Sequence, residues 1–125
     1  MNLRILLTFH GLITLAAGMV LIAAPGLIPS AVGVRVPADA YLVCYLLGAA
    51  ELAVSFLSFA GRSLRQSDGA RLVAQTMIVF HGCTAAVEAY AFTRGVHAAI
   101  WANVALRMAV IALFAHYGLR RKALS

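Results

Sequence analysis

The sequence is too apolar for a soluble protein of its length. Its 125 residues fit one domain, over 1–125, but 63% are hydrophobic and only 11% are charged, whereas roughly a quarter of the residues are charged in soluble domains. The net charge of +6 would suggest nucleic-acid binding in a soluble protein, but here the basic residues flank apolar stretches, where they meet lipid phosphates. The composition therefore predicts a single-domain membrane protein in a lipid bilayer and argues against a nucleic-acid partner.

Four apolar stretches follow one another along the chain, at about residues 3–24, 39–60, 70–93 and 98–118. A helix of about 20 residues crosses a hydrocarbon core roughly 30 Å thick, and backbone in lipid must satisfy its own hydrogen bonds. We therefore expect an all-α fold, an integral membrane four-helix bundle. The long connection at 25–37 is predicted to lie at the membrane interface or to form a shallow re-entrant stretch, and Asp39 is placed to cap the second helix.

Basic residues are distributed unequally between the two ends of the predicted spans. An even number of spans puts both termini on one side, and the side rich in Lys and Arg is normally cytoplasmic. We therefore expect a multi-pass inner-membrane protein with both termini in the cytoplasm. The opposite side carries only Arg35 and Arg94, and the basic residues on the terminal side are Arg4, Arg62, Arg65, Arg71, Arg120, Arg121 and Lys122.

A short sequence pattern occurs twice. Phe-His-Gly at 9–11 recurs at 80–82, and Glu-Leu-Ala-Val at 51–54 is matched by Arg-Met-Ala-Val at 107–110. Each half of the chain then has a histidine on its first span and a charged residue on its second. The pattern is compatible with two tandem helical hairpins, related as a parallel internal repeat.

Ionisable side chains inside the predicted spans form the candidate site. They cost roughly 2.5–3.5 kcal/mol each on insertion scales, so they usually face the bundle interior and pair there. Counting from the helix ends places Glu51, His81 and Arg107 in one polar layer near the midplane, and Glu88 with Asn103 in a second layer nearer the outer face. The candidate catalytic residues are Glu51, His81, Glu88 and Arg107, and the candidate ligand-binding residues are His10, Thr84, Asn103 and Trp101, the last also in the position of an interface anchor.

The favoured interpretation of this cluster is a site for a lipophilic small molecule. Glu51 or Glu88 would act with His81 as acid–base groups, and Arg107 would hold an anionic or carbonyl oxygen. Whether the protein is an enzyme is left open. The main alternative is an accessory membrane subunit in which Glu51 and Arg107 form an ion pair that only specifies helix packing.

Two further alternatives use the same residues. His10 and His81 would be the axial ligands of a haem b, or an intramembrane Glu and His would relay protons in a coupled transporter. No other metal site is expected, and Cys44 and Cys83 are interpreted as packing residues without a disulfide.

Small residues on the predicted helices favour close helix contacts. Gly11 and Gly18 lie seven residues apart on the first span, and the third span carries Ala85, Ala86 and Ala89. We therefore expect a homo-oligomer or a subunit of a membrane complex.

The first half of the chain resembles the small four-span bacterial membrane proteins grouped as DoxX-like. The resemblance is carried by Gly-Leu-Ile-Thr-Leu-Ala-Ala-Gly at 11–18, by Pro25 and Gly33 in the connection, and by Leu-Gly-Ala-Ala-Glu-Leu at 47–52. It implies a four-span bundle with a glycine-spaced first helix. Most members of that group have no known function, and some are associated with respiratory or thiol-redox systems.

Overall fold

The computed structural model describes residues 1–64 and 68–120, and this part of the chain is all-helical. Four helices are long and apolar enough to cross a membrane, so the predicted four-helix membrane bundle is confirmed. The helices are α1 (Leu3–Ala23), α2 (Leu27–Ala31), α3 (Tyr41–Gly61), α4 (Asp68–Thr93) and α5 (Ile100–Phe114), with a 3-10 turn at Ala38–Ala40 before α3 and a π-helical turn at Ala115–Leu119 after α5. Arg65, Arg121 and Lys122, which entered the orientation argument, lie outside the described residues.

Local capping explains where several of these helices begin and end. The side chain of Asn2 caps α1 by accepting a hydrogen bond from the backbone N–H of Ile5 at 3.0 Å. Gly95, at φ +101°, follows the end of α4 in the left-handed region that favours glycine. Asp39 was wrongly predicted to cap the second long helix, because it lies inside the 3-10 turn and makes no capping bond.

The four long helices form two closely packed pairs, α1 with α3 and α4 with α5. In the first pair the backbones approach most closely at Gly18 and Gly48: a Cβ on Gly18 would lie 2.9 Å from the Gly48 carbonyl oxygen. Gly11 lies against the ring of Phe59, at 3.1 Å from where its Cβ would be. The prediction that Gly11 and Gly18 allow close helix contact is confirmed, and the two pairs match the two predicted hairpins.

The hydrophobic core joins the two pairs at one end only. Its buried members come from α1, α4 and α5, and Val54 and Leu57 of α3 pack against them. All of them lie toward the end of the bundle where the described chain begins and ends. The opposite half of the interior holds the buried apolar side chains of Leu21, Cys44, Ala85 and Ile100 together with buried Glu51. The buried core residues are Leu6, Leu7, Val73, Ala74, Met77 and Phe114.

The connection after α1 crosses the other end of the bundle. It contains α2 and then turns at Gly33, which has φ +76° and packs against the side chain of His97, with 3.0 Å between the His97 Cβ and an added Cβ. His97 belongs to the turn between α4 and α5. This connection thus links the two helix pairs at the end that the hydrophobic core does not reach.

Candidate functional site

A continuous chain of side-chain hydrogen bonds runs between the two helix pairs, directly beyond the hydrophobic core. His10 of α1 lies at its centre: its Nδ1 is 2.8 Å from Ser58 Oγ of α3, and its Nε2 is 2.8 Å from His81 Nε2 of α4. On the far side of His81, Nδ1 is 3.2 Å from Arg107 Nη1 of α5. One side chain from each long helix therefore takes part, and we call these four residues the histidine chain.

Arg107 fixes the direction in which protons are donated along the histidine chain. A guanidinium has only donors, so His81 Nδ1 must accept, and the proton of neutral His81 is on Nε2. His81 then donates to His10 Nε2, and His10 carries its proton on Nδ1 and donates it to Ser58. The Ser58 hydroxyl in turn donates to the backbone carbonyl of Val54 at 2.9 Å. Both imidazoles are consequently neutral, and neither has a free basic nitrogen.

Arg107 also joins the histidine chain to a second polar group nearer the α4–α5 turn. Its Nε donates to Glu88 Oε1 at 2.9 Å, and the side-chain amide of Asn103 donates to the same oxygen at 2.6 Å. The predicted layer of Glu88 and Asn103 is confirmed. The ion pair predicted between Arg107 and Glu51 is wrong, because the guanidinium pairs with Glu88 instead.

The second carboxylate oxygen of Glu88 differs from every other polar atom in this network. Oε2 is shielded from solvent and has no hydrogen-bond partner in the described part of the chain. A carboxylate oxygen accepts hydrogen bonds strongly, and leaving one buried and unpaired costs free energy. This atom is therefore an acceptor open to a donor that the described chain does not supply.

Three predicted site residues lie outside the network. Glu51 is buried, at 8% exposed, but makes no hydrogen bond or salt bridge within residues 1–64 and 68–120. The Thr84 hydroxyl donates to its own helix backbone, at Phe80 O, over 2.6 Å. Trp101 is 46% exposed and its ring packs edge-on to Phe92, with 5.6 Å between ring centroids.

Ser58 is a member of the hydrogen-bonded network that the sequence did not lead us to expect. It is completely buried and ends the histidine chain. The signal was present, because the polar and small residues of the second span recur every three or four positions and their series extends to Ser58. That buried stripe of α3 is Cys44, Gly48, Glu51, Ser55, Ser58 and Gly61.

The histidine pair does not fit a bound haem. The two Nε2 atoms that would bind the iron from opposite sides are hydrogen-bonded to each other, and Phe114 packs edge-on to His10 with 5.2 Å between ring centroids. Within the described ranges no group of three or more His, Cys, Asp or Glu side chains is arranged to hold a metal ion.

The comparisons with known proteins found no match that assigns a role to these residues. No family model matches the chain, and no curated protein or solved structure matches it either.

Proposed function

We propose that this membrane protein binds a lipophilic small molecule by a polar group held between its two helix pairs. The observation that carries the proposal is Glu88 Oε2, a buried carboxylate oxygen without a donor beside an otherwise paired network. A ligand N–H or O–H would satisfy this oxygen, and a charge-assisted hydrogen bond of that kind is roughly twice as strong as a neutral one.

The position of Glu88 supports the same function. It lies beyond the histidine chain, in the half of the bundle where no apolar cluster joins the described parts of the two pairs. Asn103 and Glu51 lie in that half beside buried apolar side chains such as Leu21 and Ile100, and the connection containing Gly33 reaches across the end. A molecule with a polar head and an apolar tail would place its head at Glu88 and its tail among the helices or in lipid.

Binding fits the geometry better than acid–base catalysis through the histidines. Both basic nitrogens, on His81 and on His10, already accept hydrogen bonds. A proton relay is also disfavoured, because the histidine chain ends at the Val54 carbonyl, which cannot pass a proton on. Any acid–base step would therefore fall to Glu88 or Glu51.

One second candidate has an observation in its favour. The histidine chain connects all four long helices, so its hydrogen bonds alone can specify how the two pairs dock. In that case the protein would be a structural or accessory subunit. The unpaired oxygen Glu88 Oε2 favours ligand binding over a structural role, because a buried acceptor without a donor does not stabilise a network that only holds helices together.

The test is ligand retention by native mass spectrometry of protein extracted gently from its own membrane. In Glu88→Gln the amide oxygen still accepts from Arg107, whereas the amide nitrogen puts a donor where Oε2 was. Cys83 is exposed on α4, so the packing role predicted for it is wrong and Cys83→Ala can serve as the control. We expect the wild type and Cys83→Ala to carry the same lipophile, and Glu88→Gln to lose it. If all three carry only ordinary phospholipid and Glu88→Gln melts at a lower temperature than the other two, the structural role is correct.

A further inference from the structure

The bundle interior has a charge balance opposite to that of the whole protein. The chain carries 10 basic and 4 acidic residues, yet among the basic residues that the structure describes only Arg107 is paired inside the bundle, whereas Glu51 and Glu88 are both interior acidic groups. The remaining described basic residues lie near the helix ends or in the connections. The interior therefore holds one more acidic group than basic group.

The histidines do not correct this imbalance. The donor Arg107 requires His81 to be neutral, and His81 in turn requires His10 to be neutral. Arg107 is already bonded to Glu88 through its Nε. Glu51 is thus the interior carboxylate that makes neither a hydrogen bond nor a salt bridge in the described residues, and it is more than nine-tenths buried.

Helix geometry places the backbones of Glu51 and Glu88 at similar heights in the bundle. Glu51 is seven residues from Ser58 along α3, and Glu88 is seven residues from His81 along α4. Seven residues are two turns, or about 10 Å, and α3 and α4 run in opposite directions. Because Ser58 and His81 both bond to His10, the backbones of Glu51 and Glu88 lie at similar levels, on the side of the histidine chain away from the hydrophobic core.

We propose that the ligand of this site is a lipophilic monocation whose positive group, an ammonium or guanidinium with N–H donors, lies between Glu51 and Glu88. The inference rests on the proposed function and names its ligand class. One positive charge balances the excess carboxylate, and its donors meet Glu88 Oε2 and the unbonded Glu51 carboxylate together. A buried charge is tolerated when it is paired in this way.

The test compares two probes that differ in charge and share a shape. Dodecylguanidinium is a permanent cation, and dodecylurea is its neutral counterpart with the same chain and similar N–H donors. Binding of each is measured to wild-type protein and to Glu51→Gln in nanodiscs of zwitterionic lipid, with empty nanodiscs as the partition control. Glutamine at 51 removes the charge and keeps the side-chain length, and thermal melting checks that the variant is folded.

We expect wild type to bind dodecylguanidinium at least about tenfold more tightly than dodecylurea, the difference of about 1.4 kcal/mol that one charge-assisted bond supplies. Glu51→Gln should lose about that factor for the cation and keep its affinity for the urea. Equal affinity for both probes in wild type, or no binding above partition, overturns the inference. The proposed function is judged separately by the mass retained from the native membrane, so a neutral lipophile there would leave it standing while this inference fails.

Discussion

Arg107 determines the chemical state of the whole polar network. It donates to His81 from one nitrogen and to Glu88 from another, and since it cannot accept, every hydrogen bond between it and Ser58 has a fixed direction. A lysine would supply a point charge without the planar fork that reaches two acceptors at once. This residue connects the proposed ligand acceptor, Glu88, to the contact between the helix pairs.

The ion pair between Glu88 and Arg107 can be tested by a double-mutant cycle, which measures the interaction free energy of the two side chains. Arg107→Met leaves Glu88 buried without its cation and His81 without a donor, so we expect it to lower the free energy of unfolding by about 3 kcal/mol. The double variant Glu88→Gln with Arg107→Met should recover part of this loss. Thermal and denaturant unfolding in detergent measure both.

The matched control for that cycle is Glu51→Gln combined with Arg107→Met. It removes the other interior carboxylate, which makes no salt bridge to Arg107, and should recover less stability than the Glu88 double variant. If the Glu51 double variant recovers as much or more, Glu51 is the partner of Arg107 and the network described above is wrong.

Residue identities in the site were easier to predict than their partners. The rarity of ionisable groups in a span predicted a buried cluster of His10, His81, Glu51 and Arg107, because each is costly in lipid unless paired. The two histidines and Arg107 are bonded in one network, but Glu51 is not, and Glu88 of the predicted outer layer takes its place. The partner of Arg107 was missed because depth counted from helix ends is uncertain by a turn. The long Arg107 side chain bonds instead to Glu88, a carboxylate of its own helix pair, α4 with α5.

At the scale of the helices, the crossing of α1 and α3 depends on glycine. An added Cβ on Gly48 would lie 2.8 Å from Ile22 Cγ1 and 2.9 Å from the Gly18 carbonyl oxygen. The backbone oxygen cannot move aside without shifting α1. The pair of helices that carries His10 and Ser58 is therefore positioned by this contact.

Alanine substitutions at two helical glycines test this claim. Gly48→Ala should separate α1 from α3 and cost about 1–3 kcal/mol of stability, whereas Gly82→Ala meets nothing within 4 Å and should be neutral or stabilising by up to about 1 kcal/mol. Unfolding of the two variants in the same detergent gives the comparison. Equal losses at both positions would show that the crossing does not require close backbone contact.

The two Phe-His-Gly copies differ in their surroundings. Gly11 packs against Phe59, whereas Gly82 borders open space, so the glycine of the second copy does not serve the same contact. The histidines of both copies nevertheless meet each other across the bundle. The repeated sequence predicted that both histidines matter, but the packing partners of each copy follow from the neighbouring helix, which the tripeptide does not encode.

In the whole molecule, the main hydrophobic core and the interior acidic groups lie toward opposite ends. The hydrophobic core is near the termini, and the interior acidic groups lie beyond the histidine chain. Hydropathy predicted the helices to within about two residues at nearly every end, because lipid forces each span to be helical. The division of the interior was not predictable, since it depends on how the two pairs are rotated against each other.

The cytoplasmic termini, oligomerisation and the DoxX-like resemblance stay predictions.

The central claim is that the histidines form a neutral, directed chain controlled by Arg107. Nitrogen-15 NMR of histidine-labelled protein in lipid bilayers tests it most directly, with His97→Gln and His116→Gln used to remove the signals of the other two of the 4 histidines. We predict protons on Nε2 of His81 and on Nδ1 of His10 at neutral pH, and mixed tautomers for His81 in Arg107→Met. A doubly protonated ring, or a proton on Nδ1 of His81 in the wild type, would contradict the account and the interior charge balance drawn from it.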